Sequence, residues 1–288
     1  MINTVFKLIG RARSSLPRRA NRTIKKLHQK LFLKKAGEAK FAIVVGCQRS
    51  GTTMLINLLS KSSFAFAFGE MDSPIMQRNC RISKDTVIRN ELSRSSAHLV
   101  VAKPICDSQW TDQLLDRFPG SKAIWIYRNY NDVVNSSLKK FKGQSQRMEW
   151  FVNEDWKSLG WRTERIEKSH PIVRLVQSVH QENATRADAA ALMWVLRTGL
   201  YFDLNLDQDE RVKLVKYESL VTETTARIKD ICQFLGIEFE EKLVSRVHAK
   251  SISKNAAPEL NPKVEIVCKQ LQSRLNQFWE SKQEAAKA

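Results

Sequence analysis

No stretch of the 288 residues approaches the roughly 20 consecutive apolar side chains that a membrane-spanning helix needs. No secretory leader is legible either. The apolar residues among 1–10 have Lys7 between them and more positive charge after them, whereas a leader carries its charge first and ends in a small-residue cleavage site. Cysteine is sparse: Cys47, Cys80, Cys106, Cys232 and Cys268 are scattered with no C-x-x-C pair. That pattern excludes a disulfide framework and a structural zinc site as the organising device, and it suits a reducing, cytoplasmic compartment. Internal repeats and low-complexity segments are absent as well.

Acid is short at one end of the chain. The whole carries 48 Lys and Arg against 30 Asp and Glu, a net +18. Residues 1–40 hold 12 of the basic side chains and a single acid, Glu38, for +11, which leaves +7 on the other 248 residues. Such an excess implies acidic partners: nucleic acid, a membrane surface, a sulfated or phosphorylated glycan, or a nucleotide. Because it is concentrated in 1–40, those residues read as a basic helical N-terminal arm and 41–288 as the working domain. In the arm, Val5, Leu8 and Ile9 share a helical face, Pro17 interrupts, and Ile24, Leu27, Leu31 and Leu33 resume. A solvated extension and an arm for an acidic membrane surface fit this equally. Nucleic acid is not expected as a partner of the less basic body.

What is present is a chain able to bury a core, with 42% hydrophobic and 27% charged residues, long enough for one large α/β domain or two small ones. Phe41–Gly46 is a continuous apolar run ending in glycine, as a strand buried on both faces would be. Further strands are expected at 64–68, 99–102, 123–127 and 212–217. Helices are expected at 54–59, 107–118, 131–141, 184–204 and 222–235, the last stopped by Gly236, and at 262–282. Strands alternating with helices predict a three-layer α/β/α domain around a parallel sheet. Residues 142–183 show no strand signal. They are read as helices and loops over the sheet, with Trp150, Trp156 and Trp161 as core or as a lid.

The sharpest local signal is Gly46-Cys-Gln-Arg-Ser-Gly-Thr-Thr53, between the first strand and its helix. A strand, a glycine-containing loop and a helix N-terminus together form an anion cradle of converging N–H groups. The nucleoside-triphosphate version of this loop needs lysine after the second glycine, but that place is Thr52, and no apolar strand ends in an Asp able to hold Mg²⁺. A P-loop kinase is therefore the weaker reading, and the cation is Arg49, inside the loop. A second strand-to-helix junction, Ile124–Ser136, places Arg128 at the strand end and Ser136 eight residues on, about two turns into a helix of 3.6 residues per turn. Asn129 or Asn131 would cap that helix, with Asp132 in its first turn.

These two elements in this order resemble those of the sulfotransferases that use 3′-phosphoadenosine 5′-phosphosulfate (PAPS), a P-loop NTPase-like fold. The resemblance spans roughly residues 41–240. It implies that Ser50, Gly51, Thr52 and Thr53 hold the 5′-phosphate, that Arg49 contacts the phosphosulfate, and that Arg128 and Ser136 bind the 3′-phosphate. Leu214-Val-Lys-Tyr-Glu-Ser-Leu-Val221 is similar to a further family strand end, which implies a place for Tyr217 beside the nucleotide. Lys103, in Lys103-Pro-Ile105, resembles the family's Lys-x-Pro region and would stabilise the transferring oxygens. The histidine base of the small-molecule enzymes is missing, since its position holds Ile105. Phe66-Ala-Phe-Gly-Glu70 instead resembles the Gly-Glu element of protein-tyrosine sulfotransferases, which implies Glu70 as general base, with Asp72 and Asp107 in reserve. At the end of an apolar strand, desolvation of Glu70 would suit it to take a proton. Transfer to a hydroxyl of a glycan, a peptidyl tyrosine or another metabolite, without a metal, is the expected activity. The alternatives are the kinase and a non-enzymatic basic module.

Overall fold

The computed structural model describes residues 18–33, 37–180, 184–245, 247 and 252–285. The readings placed on Val5–Ile9 and Pro17 lie outside the described residues. Helix α1 (Arg18–Phe32) is followed by β1 (Lys40–Gly46), α2 (Thr52–Leu59), β2 (Ala65–Phe68), α3 (Asp85–Arg94) and β3 (Leu99–Ala102). A 3₁₀ segment (Ile105–Trp110) leads into α4 (Thr111–Arg117), β4 (Lys122–Tyr127), α5 (Tyr130–Lys140), α6 (Gln144–Val152) and α7 (Trp156–Leu159). After these come α8 (Pro171–Val179), α9 (Arg186–Asp203), β5 (Val212–Lys216), α10 (Tyr217–Thr222), α11 (Thr224–Leu235) and α12 (Pro262–Ala285).

The five strands pair in the order β2-β3-β1-β4-β5, all parallel. Parallel strands need both faces covered, and the central strand shows how one sequence serves two cores. Phe41, Ile43 and Val45 face one core with Trp125, Tyr127, Trp194 and Tyr201, whereas Ala42 and Val44 face the other with Leu55, Leu59, Ile124 and Ile231. The expected three-layer architecture is the one present. Helices α5, α9 and α12 belong to the first core and α2, α10 and α11 to the second.

Three local expectations are amended. The helix expected at 107–118 is two pieces, a 3₁₀ segment and α4, which meet at Trp110 and Thr111. The strand expected to run to Tyr217 stops at Lys216, and Tyr217 opens α10. Residues 142–180 contain three helices, α6 seated on α9, α7 on α6 and α8 on both, with Trp150 and Trp156 packed at the edge of the first core. Among the described residues no helix is long and apolar enough to cross a membrane.

Helix α1 lies against the body through polar contacts. Lys25 donates to the Ser60 carbonyl at 2.6 Å and Lys26 pairs with Glu91 at 3.0 Å, while Leu27 and Leu31 face solvent. Gln29 is the anchor, 1% exposed, its amide nitrogen donating to the carbonyls of Ser63 (2.9 Å) and Ala65 (3.3 Å) beside β2. Gln29→Ala strips a partner from two carbonyls under the helix, and a buried unsatisfied acceptor costs about 1–3 kcal/mol. A drop of several degrees in the thermal midpoint is the expected result; an unchanged midpoint would show that α1 contributes nothing to the fold.

Candidate active site

Parallel α/β sheets collect function outside the carboxyl ends of their strands, beside the point where the strand order reverses. Here all five strand ends carry an expected site residue. Gly46 ends β1, Glu70 follows β2, Lys103 follows β3, Arg128 follows β4, and Tyr217 follows β5. The reversal falls at β1, which is flanked by β3 and β4.

The loop after β1 is shaped by close approach. A Cβ on Gly46 would sit 2.4 Å from the Ile126 carbonyl oxygen, inside van der Waals contact with the neighbouring strand. Gly51, the residue before α2, has φ 101°, and a Cβ there would sit 2.3 Å from Cδ2 of Tyr217. Arg49 also has positive φ, 70°. Ser50 is fully buried and its hydroxyl has no hydrogen-bond partner among the described residues, which suits a place for a ligand oxygen at the loop's centre. Cys47 is buried too, and desolvation pushes its thiol up to about 11, so it brings no negative charge to an anion cradle. Gly51→Ala adds a left-handed strain of about 1–3 kcal/mol to the clash with Tyr217. Its thermal midpoint is expected to fall well below that of Gly120→Ala, whose φ is 77° but whose Cβ meets nothing within 4 Å. Equal midpoints would mean that Tyr217 moves aside at no cost.

The side chains of the two strand-to-helix motifs meet. Arg49 Nε donates to Ser136 Oγ at 2.9 Å, joining the first loop to α5. Asn129, not Asn131, caps α5, its side chain accepting from Asn131 N at 3.0 Å. Arg128 is 8% exposed, with Nη2 3.1 Å from Asp132 and its guanidinium 4.5 Å over the Tyr217 ring. Behind it Glu218 accepts from Asn129 N at 3.0 Å, and burial holds its carboxyl above the usual range. Tyr217 thus wedges between Gly51 and Arg128, one from each motif.

At the other side of the loop, Lys103 Nζ lies 2.6 Å from Thr53 Oγ1 and 2.7 Å from Glu70 Oε1, its side chain 3% exposed. A buried ammonium needs such partners, and these two fix it between the phosphate loop and the candidate base. Glu70 is not buried at the strand end; its side chain is 38% exposed. A cavity of about 440 Å³ opens on this trio, with Lys25, Phe66 and Asp72 also in its wall. Asp107 is engaged elsewhere. Its carboxylate accepts from Arg81 Nε at 2.7 Å and Ile82 N at 2.6 Å, a structural fixture rather than a reserve base.

Sequence reasoning missed a second, smaller cavity of about 110 Å³ on the Cys47–Gln48 side of the loop, into which Arg147, Arg162 and Arg197 converge. Trp161 packs with it, its ring 4.7 Å from the Arg162 guanidinium and 5.0 Å from that of Arg197. The one available signal was Arg197 itself, a lone cation in the apolar run Ala189–Phe202.

A strand-loop-helix junction with a lysine–glutamate pair at its lip is a layout suited to group transfer. The chain belongs to the sulfotransferase family: the family's sulfotransferase-domain model matches residues 40–258. Among solved structures it is similar to the sulfotransferase domain from the curacin biosynthetic pathway (17% identity, 82% of this chain and 99% of that one, TM-score 0.47). It is similar also to the sulfotransferase domain of the Synechococcus PCC 7002 olefin synthase (14%, 86% and 96%, 0.45). A third is mouse sulfotransferase SULT7A1 complexed with PAP (15%, 82% and 74%, 0.41). No curated protein sequence matches this chain.

Proposed function

We propose that the protein transfers a sulfuryl group from PAPS to a hydroxyl of an acceptor, releasing adenosine 3′,5′-bisphosphate. The observation that carries this reading is the meeting of the two expected phosphate motifs through Arg49 and Ser136, with Lys103 bridging Thr53 and Glu70 beside them. In it, Ser50, Gly51, Thr52 and Thr53 hold the 5′-phosphate, chiefly through backbone N–H groups and the α2 N-terminus. Arg128 and Ser136 take the 3′-phosphate, and Tyr217 flanks the nucleotide.

The step is an in-line displacement at sulfur. The acceptor oxygen forms the new S–O bond as the bond to the bridging phosphate oxygen breaks, and that oxygen leaves carrying the electron pair. Arg49 and Lys103 stand where negative charge grows on the leaving oxygen and the transferring SO₃. Glu70 removes the acceptor proton; it is paired with Lys103 and open to the 440 Å³ cavity where an acceptor hydroxyl would enter. None of these roles calls for a metal. The likeness of Gly69-Glu70 to the tyrosyl-sulfotransferase element, with Ile105 where the small-molecule enzymes have histidine, favours a glycan or a peptide over a free phenol. The basic residues of 1–40 would serve an acidic membrane surface, held close by the docking of α1.

Calorimetry tests the donor. Adenosine 3′,5′-bisphosphate is expected to bind without Mg²⁺ and far more tightly than adenosine 5′-monophosphate. If ATP with Mg²⁺ binds best, the kinase reading replaces this one; if no nucleotide binds, the chain is a basic binding module.

A further inference from the structure

Arg147, Arg162 and Arg197 come from α6, the 3₁₀ turn at Gly160–Arg162 and α9, and all three line the 110 Å³ cavity with Gln48 of the phosphate loop and Ser137 of α5. Three guanidinium groups around so small a space repel one another, and a fold keeps such an arrangement only with compensation. No carboxylate among the described residues forms an ion pair with any of them. Arg197 is buried, 5% exposed. Its Nη1 and Nη2 donate to the amide oxygen of Gln109 at 3.2 Å, and Nη2 reaches the Ile105 carbonyl at 3.4 Å, all neutral acceptors. Arg162 donates to the Leu159 carbonyl at 3.3 Å and Arg147 to Gln144 at 3.4 Å. Desolvation accordingly lowers Arg197 to about 10 and holds Arg162 below its usual range, with the Arg147 charge adding to the latter. Hydrogen bonds to dipoles satisfy the donors but leave the positive charge standing in a site of low dielectric. A planar or tetrahedral oxoanion supplies what is missing, since guanidinium forks match its oxygens in geometry and charge.

The cavity is a separate space from the one that opens on Glu70, yet both border the phosphate loop. Cys47 and Gln48 line the first, and Thr53, seven residues from Gly46, lines the second. Cys47 and Gln48 of the first motif and Val133 of the second line it, but the two motif cations, Arg49 and Arg128, do not. We propose that it is an oxoanion subsite for the acceptor, so that the molecule sulfated here carries a carboxylate, sulfate or phosphate ester as well as its reacting hydroxyl. This rests on the donor reading above and narrows it from hydroxyl compounds in general to acidic ones.

The test uses the full chain saturated with adenosine 3′,5′-bisphosphate, titrated at constant ionic strength with sodium sulfate, sodium acetate and neutral acetamide, and followed by tryptophan fluorescence. Trp161, stacked on two of the arginines, is the reporter, and Trp161→Phe identifies its signal. Saturable changes with sulfate and acetate but none with acetamide are expected. Arg162→Gln and Arg147→Gln, both at partly exposed positions that should tolerate substitution, are each expected to weaken sulfate by about tenfold or more, the value of one charge-assisted hydrogen bond. Bisphosphate affinity should not move in either variant. Saturable binding of sulfate that disappears once the bisphosphate is bound would assign the arginines to the donor and overturn the proposal, as would a flat titration or an equal response to acetamide. Failure of the bisphosphate to bind is a separate result: it removes the donor reading, and the acceptor assignment with it, whatever sulfate does.

Discussion

Arg128→Ala is expected to weaken adenosine 3′,5′-bisphosphate by about 10- to 100-fold, the loss of a charge-assisted pair worth about 1.5–3 kcal/mol at about 1.4 kcal/mol per tenfold. The same change should leave adenosine 5′-monophosphate almost unaffected, so the preference for the second phosphate collapses. The reason lies in how the guanidinium is held. It sits at the carboxyl end of β4, 8% exposed, with one nitrogen 3.1 Å from Asp132 and its face 4.5 Å from the Tyr217 ring. Both contacts aim it, and a pre-aimed cation loses little entropy on binding phosphate. Removing it also leaves Asp132, 6% exposed, with one fewer partner, although Ser253 N still donates to that carboxylate at 3.2 Å. A thermal melt therefore accompanies the calorimetry, and Arg128→Lys keeps the charge without the fork. The lysine variant should fall between wild type and alanine for the bisphosphate. Equal losses for mono- and bisphosphate would mean that Arg128 shapes the loop rather than reading the 3′-phosphate.

The parts of this site that could be read from sequence share one property: their chemistry is tied to a backbone pattern. A buried parallel strand is a run of apolar residues, and the turn at its carboxyl end lies on the functional edge of the sheet. Arg49 and Arg128 stood out at such strand ends, and the family resemblance named Glu70, Lys103 and Tyr217, each of which also comes closely after an apolar run. The desolvation expected of Glu70 was not borne out, because Lys103 takes the buried place and Glu70 reaches in from the rim. Helix α3 was missed for want of a signature. Its N-cap position is Lys84, no side chain caps it, and only Ile88 and Leu92 are buried. Of the arginine cavity only Arg197 left a signal, since its three cations lie on three segments that tertiary packing brings together. Spacing along the chain carries no trace of that.

Glu70→Gln is expected to lower kcat by about a hundred- to ten-thousand-fold, the usual contribution of a positioned general base, while bisphosphate affinity stays as it was. Glutamine keeps the shape of the side chain, and its carbonyl oxygen can still accept from Lys103 Nζ, 2.7 Å away in the wild type, so the buried ammonium keeps a partner. What is lost is the capacity to take a proton. Lys103→Met makes the complementary cut. It removes the group that touches both Thr53 Oγ1 and Glu70, so turnover should fall again, but the released nucleotide, which has no sulfuryl group, should bind nearly as before. Because the two residues act through one contact, the double variant should be little slower than the worse single one; independent roles would make the losses multiply. If Glu70→Gln turns over at the wild-type rate, the base is another carboxylate. Asp72 is then next, since it lines the same cavity and its Oδ2 accepts from Gly69 N at 2.8 Å. Asp107 is not a substitute, because Arg81 and Ile82 N already hold both of its oxygens. Asp72→Asn would decide between a displaced base and a reaction whose acceptor arrives already ionised.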